Sequence, residues 1–397
     1  MPVLDLALNH LSNKVRGKKP FQGLRIAMCL HVSKETSVLV EGIHSLGADV
    51  KLVAANPLSS QDEIAKFLSS IGVSVSAKSG ETVEEYTSSI KSAASCDPQL
   101  IVDDGGELHV AYSKTGSNSC FGGTDETTTG TTRLRGLYRE GKLRYPVIPV
   151  NEAETKHIFD NKYGSGQSAI DGLLRATGLL LTGKTLVVAG YGWVGRGVAE
   201  RARGMGARVV VTEVNGLKAL EAQMDGYEVV PMIDAASLGD IFLTCTGQIE
   251  VLRQEHFQKM KNGAILGNVG HFDSEIDVAD LYKMAVRVQQ IREHLTRFEL
   301  PDHRSILLLS RGRVINLVGA EGHPPEIMQL SFADQLLSLY YLLNHQDELK
   351  ESKPKLLQFP KEIDLLVTKF AVDCFGLKID FLTDKQKRYS ESYSFSE

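Results

Sequence analysis

One turn restricts the fold of this chain more than any other feature. Thr185–Ala189 is a short apolar run with the character of a buried strand, and Val194–Met205 has the spacing of a helix. Gly190-Tyr191-Gly192-Trp193-Val194-Gly195 stands between them. Glycine turns are common and mostly bind nothing. Here a strand precedes, a helix follows, and Glu213 ends the next strand, Ala207–Thr212, about twenty residues further on. The first glycines allow the tight turn and let the backbone approach a pyrophosphate at the helix N-terminus. The Glu213 carboxylate can accept hydrogen bonds from a ribose diol, would repel a 2′-phosphate, and is not followed by an arginine. The pattern predicts a doubly wound α/β unit that holds NAD rather than NADP, with Gly190, Gly192, Trp193, Val194, Gly195 and Glu213 as cofactor contacts.

Around that turn, apolar strands alternate with amphipathic helices in two blocks, the pattern of parallel sheets covered by helices. The first block, about Gly23 to Pro149, contains strands Arg25–Leu30, Ala48–Ala54 and Gln99–Val102, with a helix presenting Leu39, Ile43 and Leu46 on one face. Asp103-Asp104-Gly105-Gly106 follows the last of these strands, where polar residues often line a ligand crevice. The second block, about Gly183 to Leu317, adds strands Ile241–Cys245, Ala264–Val269 and Ser305–Leu309. A chain of 397 residues accommodates two such units.

The net charge of −5 gives no general attraction to nucleic acid or anionic membrane, and the basic stretch Thr132 to Arg144 reads as a solvated helix face. Cys29, Cys96, Cys120, Cys245 and Cys374 show neither a CxxC pair nor metal-ligand spacing, so neither a disulfide framework nor a metal site is expected. Met1 to Pro20 lacks the apolar core of a signal peptide, and no stretch has the length of an uncharged membrane span. A cytoplasmic location is the expectation. No apolar run follows Leu382, and the serine-rich end reads as loosely held.

Several segments, in order, resemble the S-adenosylhomocysteine hydrolase family: Cys29 to Thr36, Asn56 to Asp62, Asp103 to Gly106, Asp125-Glu126-Thr127-Thr128-Thr129-Gly130, Thr155 to Asn161, the run from Tyr163 to Gly206, Asn268 to Asp273, and Gly322-His323-Pro324. The similarity covers about Gly23 to Tyr389, and Tyr163-Gly164-Ser165-Gly166-Gln167-Ser168 is closest in character to the shorter archaeal and bacterial branch. The resemblance implies two doubly wound, Rossmann-like domains with a cleft between them. Residues 1–153 and 324–372 would form a substrate-binding, catalytic domain, 154–323 an NAD-binding domain, and 373–397 a C-terminal segment. It also implies bound NAD used as a catalyst. The ribose 3′-hydroxyl is oxidised, the acidified C4′ hydrogen is lost, homocysteine leaves C5′, water adds, and the hydride returns to C3′.

By the same resemblance, Lys156 is the base at the 3′-hydroxyl and Asp160 its orienting partner, although residues four apart also describe an ordinary surface ion pair. Asp104 takes the C4′ proton. His31 shuttles protons at C5′, a task suited to an imidazole near neutral pH. Glu126 accepts hydrogen bonds from the ribose hydroxyls, and Thr127, Thr128 and Thr129 both start a helix and contact the cofactor. Asn161 and His271 lie beside ribose and nicotinamide, with Gly270, Asn316 and His323 as further cofactor contacts. Glu35 accepts from the 6-amino group of adenine, and Ser33, Thr36, Gln61, His323 and Met328 complete the base pocket. Facing inosine, the Glu35 carboxylate would oppose an oxygen in a dry pocket.

Ser165 stands where many relatives carry cysteine or threonine. Longer relatives end in a lysine- and tyrosine-bearing extension that reaches a neighbour's NAD site, for which Ser392 to Glu397 shows no evident match. A homotetramer is implied, with small-molecule substrates and no nucleic-acid or membrane partner. Three alternatives remain: the same chemistry on S-inosylhomocysteine, a non-catalytic NAD-binding regulatory homologue, and an ordinary hydroxy-acid dehydrogenase that turns over free NAD.

Overall fold

The computed structural model describes residues 1–15, 18–115, 117–351 and 353–392. It contains two sheets, each wound from a central strand outward. The first comprises β1 (Arg25–Leu30), β2 (Asp49–Ala54), β3 (Ser74–Ser76), β4 (Leu100–Asp103), β5 (Gly122–Asp125) and β6 (Val147–Pro149), in the order β3-β2-β1-β4-β5-β6 and parallel throughout. Chain order reverses between β1 and β4, so their C-terminal ends splay their connections apart and leave a crevice. His31 and Asp104 stand at that point.

The second sheet repeats the plan. It comprises β7 (Thr185–Ala189), β8 (Arg208–Thr212), β9 (Glu228–Val229), β10 (Ile241–Thr244), β11 (Ala264–Asn268), β12 (Arg287–Arg292), β13 (Leu295–Glu299) and β14 (Ser305–Leu309). Their order is β12-β13-β14-β11-β10-β7-β8-β9. The reversal lies between β7 and β10, where Gly190 and Cys245 begin the loops. The antiparallel hairpin β12–β13 was not expected from the sequence. All six residues of β12 are exposed, so it carries no apolar signal; only pairing with β13 makes it a strand.

The helix Pro325–Asn344 returns the chain to the first sheet. Its Leu330, Phe332, Leu336, Leu339 and Leu342 share a core with Ile26 and Met28 of β1 and with Leu4 and Leu11 of the first helix, Pro2–Lys14. Burial of each such side chain contributes ~1.5–3 kcal/mol, enough to keep the helix buried despite its inward polar residues. Gln329, Ser331, Asp334 and Gln335 are bonded across elements. Gln329 accepts the Val3 amide at 3.0 Å, and Asp334 accepts the Thr155 hydroxyl at 2.9 Å. Beyond Leu382 the chain forms a polar helix, Asp384–Glu391, with no buried residue. The terminal stretch Tyr393 to Glu397 lies outside the described residues.

The helices Ser165–Thr177 and Trp193–Gly204 cross through glycines. A Cβ at Gly197 would lie 1.9 Å from the Lys162 carbonyl oxygen, and one at Gly166 would lie 2.6 Å from the Gly197 backbone. Backbone cannot yield as a side-chain tip can. Gly197→Ala is therefore expected to destabilise the protein by about 1–3 kcal/mol, seen as a lower thermal midpoint, whereas Gly204→Ala, with nothing within 4 Å of its Cβ position, should not. Equal midpoints for the two variants would refute this account of the crossing.

Candidate active site

A cleft of about 1110 Å³ opens between the C-terminal edges of the two sheets. From the first sheet it receives His31, Ser33, Glu35, Thr36, Asp104, Glu126 and Thr127 to Thr129. From the second it receives Gly190, Gly192, Trp193, Val194, Glu213, Gly270 and His271. The segments joining the two halves add Lys156, Asp160, Asn161, Asn316 and His323, and Met328 follows them. Of the sequence-derived site residues, Gln61 and Gly195 are not on the wall. Gln61 precedes the helix Asp62–Ser70, its amide bonded to the Val32 carbonyl. Gly195 packs beneath the turn, where a Cβ would lie 1.9 Å from the Gly190 oxygen.

Lys156 is at the centre of the polar wall. Its ammonium lies 2.7 Å from Asn161 Oδ1, 3.2 Å from Asp160 and 3.5 Å from Glu126. The pair with Asp160 is buried on both sides, unlike a surface i,i+4 pair. The stretch His157–Gly164 is a π-helix, a wider coil that recurs at functional sites. Burial alone would lower the Lys156 pKa, but the carboxylates of Asp160, Glu126 and Asp104 outweigh it and hold the group above its ordinary value. Asp160 also receives His323 Nδ1 at 2.7 Å and the Ser331 hydroxyl at 2.7 Å. Burial opposes its charge, but Lys156 and His323 prevail and keep it well below the usual carboxylate range. Glu126 is pushed up to about 7 by burial, which the Lys156 charge only partly offsets, and the Gln335 amide donates to it at 2.5 Å.

Two imidazoles flank Asp104. His31 Nε2 lies 3.5 Å from one carboxylate oxygen and His271 Nδ1 lies 3.6 Å from the other. His31 Nδ1 is tied to the Ser59 hydroxyl at 2.6 Å, which fixes the ring. Burial lowers the His31 pKa to about 4 and also lowers that of His271, so both are neutral at pH 7. His271 reaches across from the second half and rests on Gly105, where a Cβ would lie 2.3 Å from its Nε2. The adjoining Phe272 ring is covered by the Arg133 guanidinium at 4.2 Å, itself paired with Glu107 at 2.7 Å. The stretch Thr132 to Arg144 is thus not wholly a solvated face, because a planar cation can lie on an aromatic ring while keeping its ion pair.

The opposite wall has the shape of a dinucleotide cradle. Gly190 adopts φ +95°, open to glycine at little cost. Gly192 caps the helix Trp193–Gly204, and the nearest atom to its Cβ position is Lys218 Nζ at 3.8 Å. Glu213 accepts the amides of Tyr191, Val214 and Asn215 at 2.7, 2.7 and 2.9 Å. Burial disfavours its charge, but those donors lower its pKa and hold it as an anion. Thr127 caps the helix Thr128–Arg139 by accepting the Gly130 amide. Asn316 Oδ1 is buried without a partner, an acceptor awaiting a donor such as a carboxamide. These features fit NAD.

A model described as "S-adenosyl-L-homocysteine hydrolase, NAD binding domain" matches residues 161–322, and one described as "S-adenosyl-L-homocysteine hydrolase" matches residues 5–119. The chain belongs to this family. An adenosylhomocysteinase of Aeropyrum pernix is 48% identical over 396 residues, covering 99% of this chain and 94% of the relative. One from Sulfurisphaera tokodaii is 50% identical over 390 residues, covering 98% and 93%. An S-inosyl-L-homocysteine hydrolase of Methanocaldococcus jannaschii is 46% identical over 397 residues, covering 99% and 94%. Among solved structures, a dipicolinate synthase chain from Bacillus halodurans aligns with a TM-score of 0.51 at 12% identity, covering 81% of this chain and 99% of that one. That likeness concerns the fold alone. Membership makes the chain a hydrolase with an NAD-binding domain.

Sequence reasoning missed the residues that brace this site: Ser59 behind His31, Asn151 behind Asn161 at 2.9 Å, Ser331 behind Asp160, and Gln335 behind Glu126. Glu275 likewise binds the Thr246 and Gly247 amides at 2.9 and 2.8 Å beneath the cofactor wall. A signal existed for Ser331 and Gln335, polar residues four apart on the buried face of an apolar helix.

His109, fully buried behind the cleft, is held neutral by burial with its pKa lowered to about 4. The unfolded chain takes that proton near 6.5 and the folded one only near 4, so its contribution to stability is full above pH 6.5 and is lost as pH falls. The stability gap between the wild type and His109→Gln, from urea melts, should therefore be smaller at pH 5 than at pH 7. A constant or widening gap would contradict a neutral His109.

Proposed function

We propose that this chain catalyses the reversible hydrolysis of S-adenosyl-L-homocysteine to adenosine and L-homocysteine. The observation that carries this reading is the confinement of Lys156, Asp104, His31 and Glu126 to one buried wall opposite a dinucleotide cradle. Relatives named adenosylhomocysteinase, alike over nearly their whole length, support it. Gly190, Gly192, Trp193 and Val194 would hold the pyrophosphate of NAD and Glu213 its ribose diol. Asn161, Gly270, His271, Asn316, His323 and Thr127 to Thr129 would enclose the nicotinamide end. Bound NAD supplies a reversible two-electron acceptor for the ribose 3′ carbon.

The protein's own residues manage the protons. Lys156 passes its own proton to Glu126, 3.5 Å away, and as the neutral amine takes the proton of the 3′-hydroxyl, with Asp160 keeping it aimed. With a ketone at C3′ the C4′ hydrogen becomes acidic, and Asp104 removes it. His31 receives that proton from Asp104, 3.5 Å away, gives it to the departing sulfur, and as the neutral ring takes one from the water that replaces it. Ser59 keeps the ring in place for both transfers. Glu126 holds the ribose hydroxyls, and Glu35 with Ser33, Thr36, His323 and Met328 receives the base.

Division into 1–153 with 324–372, 154–323 and 373–397 goes with this reading, with the two linking segments as a hinge that excludes water while the ketone exists. Solution scattering of the NAD-loaded protein should show a smaller radius of gyration when a substrate analogue is added; unchanged profiles would argue against closure. Homotetrameric assembly in the cytoplasm is part of the same proposal. Val214, Leu217, Leu220 and Met224 are exposed apolar side chains of the kind an assembly covers, and no described helix is long and apolar enough to cross a membrane.

The deciding assay offers S-adenosylhomocysteine and S-inosylhomocysteine separately to NAD-loaded protein and follows homocysteine release. Faster release from the adenosyl compound is expected, and Lys156→Ala or Asp104→Asn should lower kcat by ~10²–10⁴-fold, the usual range for a positioned acid or base. Preference for the inosyl compound would overturn the role of Glu35. No release from either would indicate a non-catalytic homologue, and bulk reduction of free NAD by a hydroxy acid a dehydrogenase.

A further inference from the structure

Behind the cleft lies a second pair of carboxyls that the mechanism above does not use. Asp103 ends β4 and Asp125 ends β5, and the two are register partners on adjacent parallel strands. Each is followed at once by a cleft residue, Asp104 or Glu126. Both are fully buried, and neither lines the cleft. One oxygen of each, with one nitrogen of His109, falls within a 4.8 Å span.

Two bare carboxylates so close together and fully buried cannot both persist. A metal ion does not explain the cluster, because the ligand atoms of His109 and Asp103 are engaged. His109 Nδ1 meets the Tyr145 hydroxyl at 2.8 Å and its Nε2 the Thr124 carbonyl at 3.1 Å, which leaves no free nitrogen. Asp103 spends its oxygens on the amides of Asp104 at 2.9 Å and His109 at 2.8 Å. Asp125 is different. Its Oδ1 accepts the Thr127 amide at 3.0 Å, but its Oδ2 is buried with no partner. Gly130 presses on it so closely that a Cβ there would lie 1.9 Å from Oδ1, so the carboxyl cannot turn away. Besides His109, the titratable groups facing the pair are Cys29, Tyr86, Asp104, Glu107, Glu126 and Tyr145, and none is a cation.

We propose that Asp103 and Asp125 are positioning residues that hold one proton between them, with Asp103 the anion and Asp125 the acid, and thereby fix Asp104 and Glu126 in the cleft. Asp103 secures the backbone of Asp104 from behind, and Asp125 does the same just past Glu126. Because the pair carries one negative charge instead of two, it repels the neighbouring Asp104 and Glu126 carboxyls less. This deepens the proposed function, since it concerns the groups that would handle the C4′ proton and the ribose hydroxyls.

The test uses full-length, NAD-loaded protein with Asp103→Asn and Asp125→Asn. Infrared spectra should show a carbonyl band of a protonated carboxylic acid, sensitive to deuterium exchange, which Asp125→Asn removes. In the activity assay, Asp103→Asn, which sets an amide group against two backbone donors, should lower kcat at least tenfold more than Asp125→Asn, with KM changed less than kcat. Exchange of the C4′ hydrogen of adenosine with solvent should fall in parallel with kcat. A spectrum without that band, or a band unchanged by Asp125→Asn, would overturn the shared proton. Equal loss of kcat in both variants would overturn the division of roles. If the wild type releases no homocysteine, the functional reading fails, yet the infrared result still decides the state of the pair.

Discussion

A single buried ammonium on the cleft wall sets the terms for this structure. Lys156 is buried, and its charge survives only because Asp160, Glu126 and Asn161 surround it. Those groups come from separate places: the π-helical stretch that follows Lys156, and the end of β5. Their supports, Ser331 and Gln335, come from a helix at the far end of the chain. Removing the cation would strand several buried carboxyls at once. The polar core of the site and the docking of the helix Pro325–Asn344 are therefore one problem in electrostatics, solved together.

The frame of the molecule was legible because its causes are local. Gly190 must be glycine to reach a positive φ, and β7 must be apolar to lie at the middle of a sheet. Asp104 was marked by its place just past a strand and, like His31, by the family resemblance; the fold sets both where chain order reverses. The hairpin β12–β13 was not legible, since an exposed polar strand owes its form to its neighbour. The bracing shell was equally hidden. Nothing near Ser59 or Asn151 in sequence says that each stands behind a cleft residue, and only tertiary folding creates those bonds. Gln61 is the opposite case, a residue placed by motif that is not among those lining the cleft.

The two sheets share a plan but use it differently. In the second, the strand ends present backbone: glycines, amides and a helix terminus, with Glu213 and Glu275 serving largely to hold that backbone in place. In the first, the strand ends present side chains that can exchange protons. Under the proposed function, the first kind of surface would suit a cofactor held through each cycle, and the second a sugar that is altered.

The contact between His271 and Gly105 has a consequence for how such a protein can vary. The two halves touch across a gap that a single methyl group would fill, so their fit depends on a missing atom. Position 105 would pass for a loop spacer, like Gly23, Gly80 or Gly141, whose surroundings are open. It is instead the clearance of a joint. Drift at the spacers meets only the local strain of a positive φ, while drift at 105 is felt in the opposing half of the molecule as well, which makes this one residue a seam along which the two sheets must evolve together.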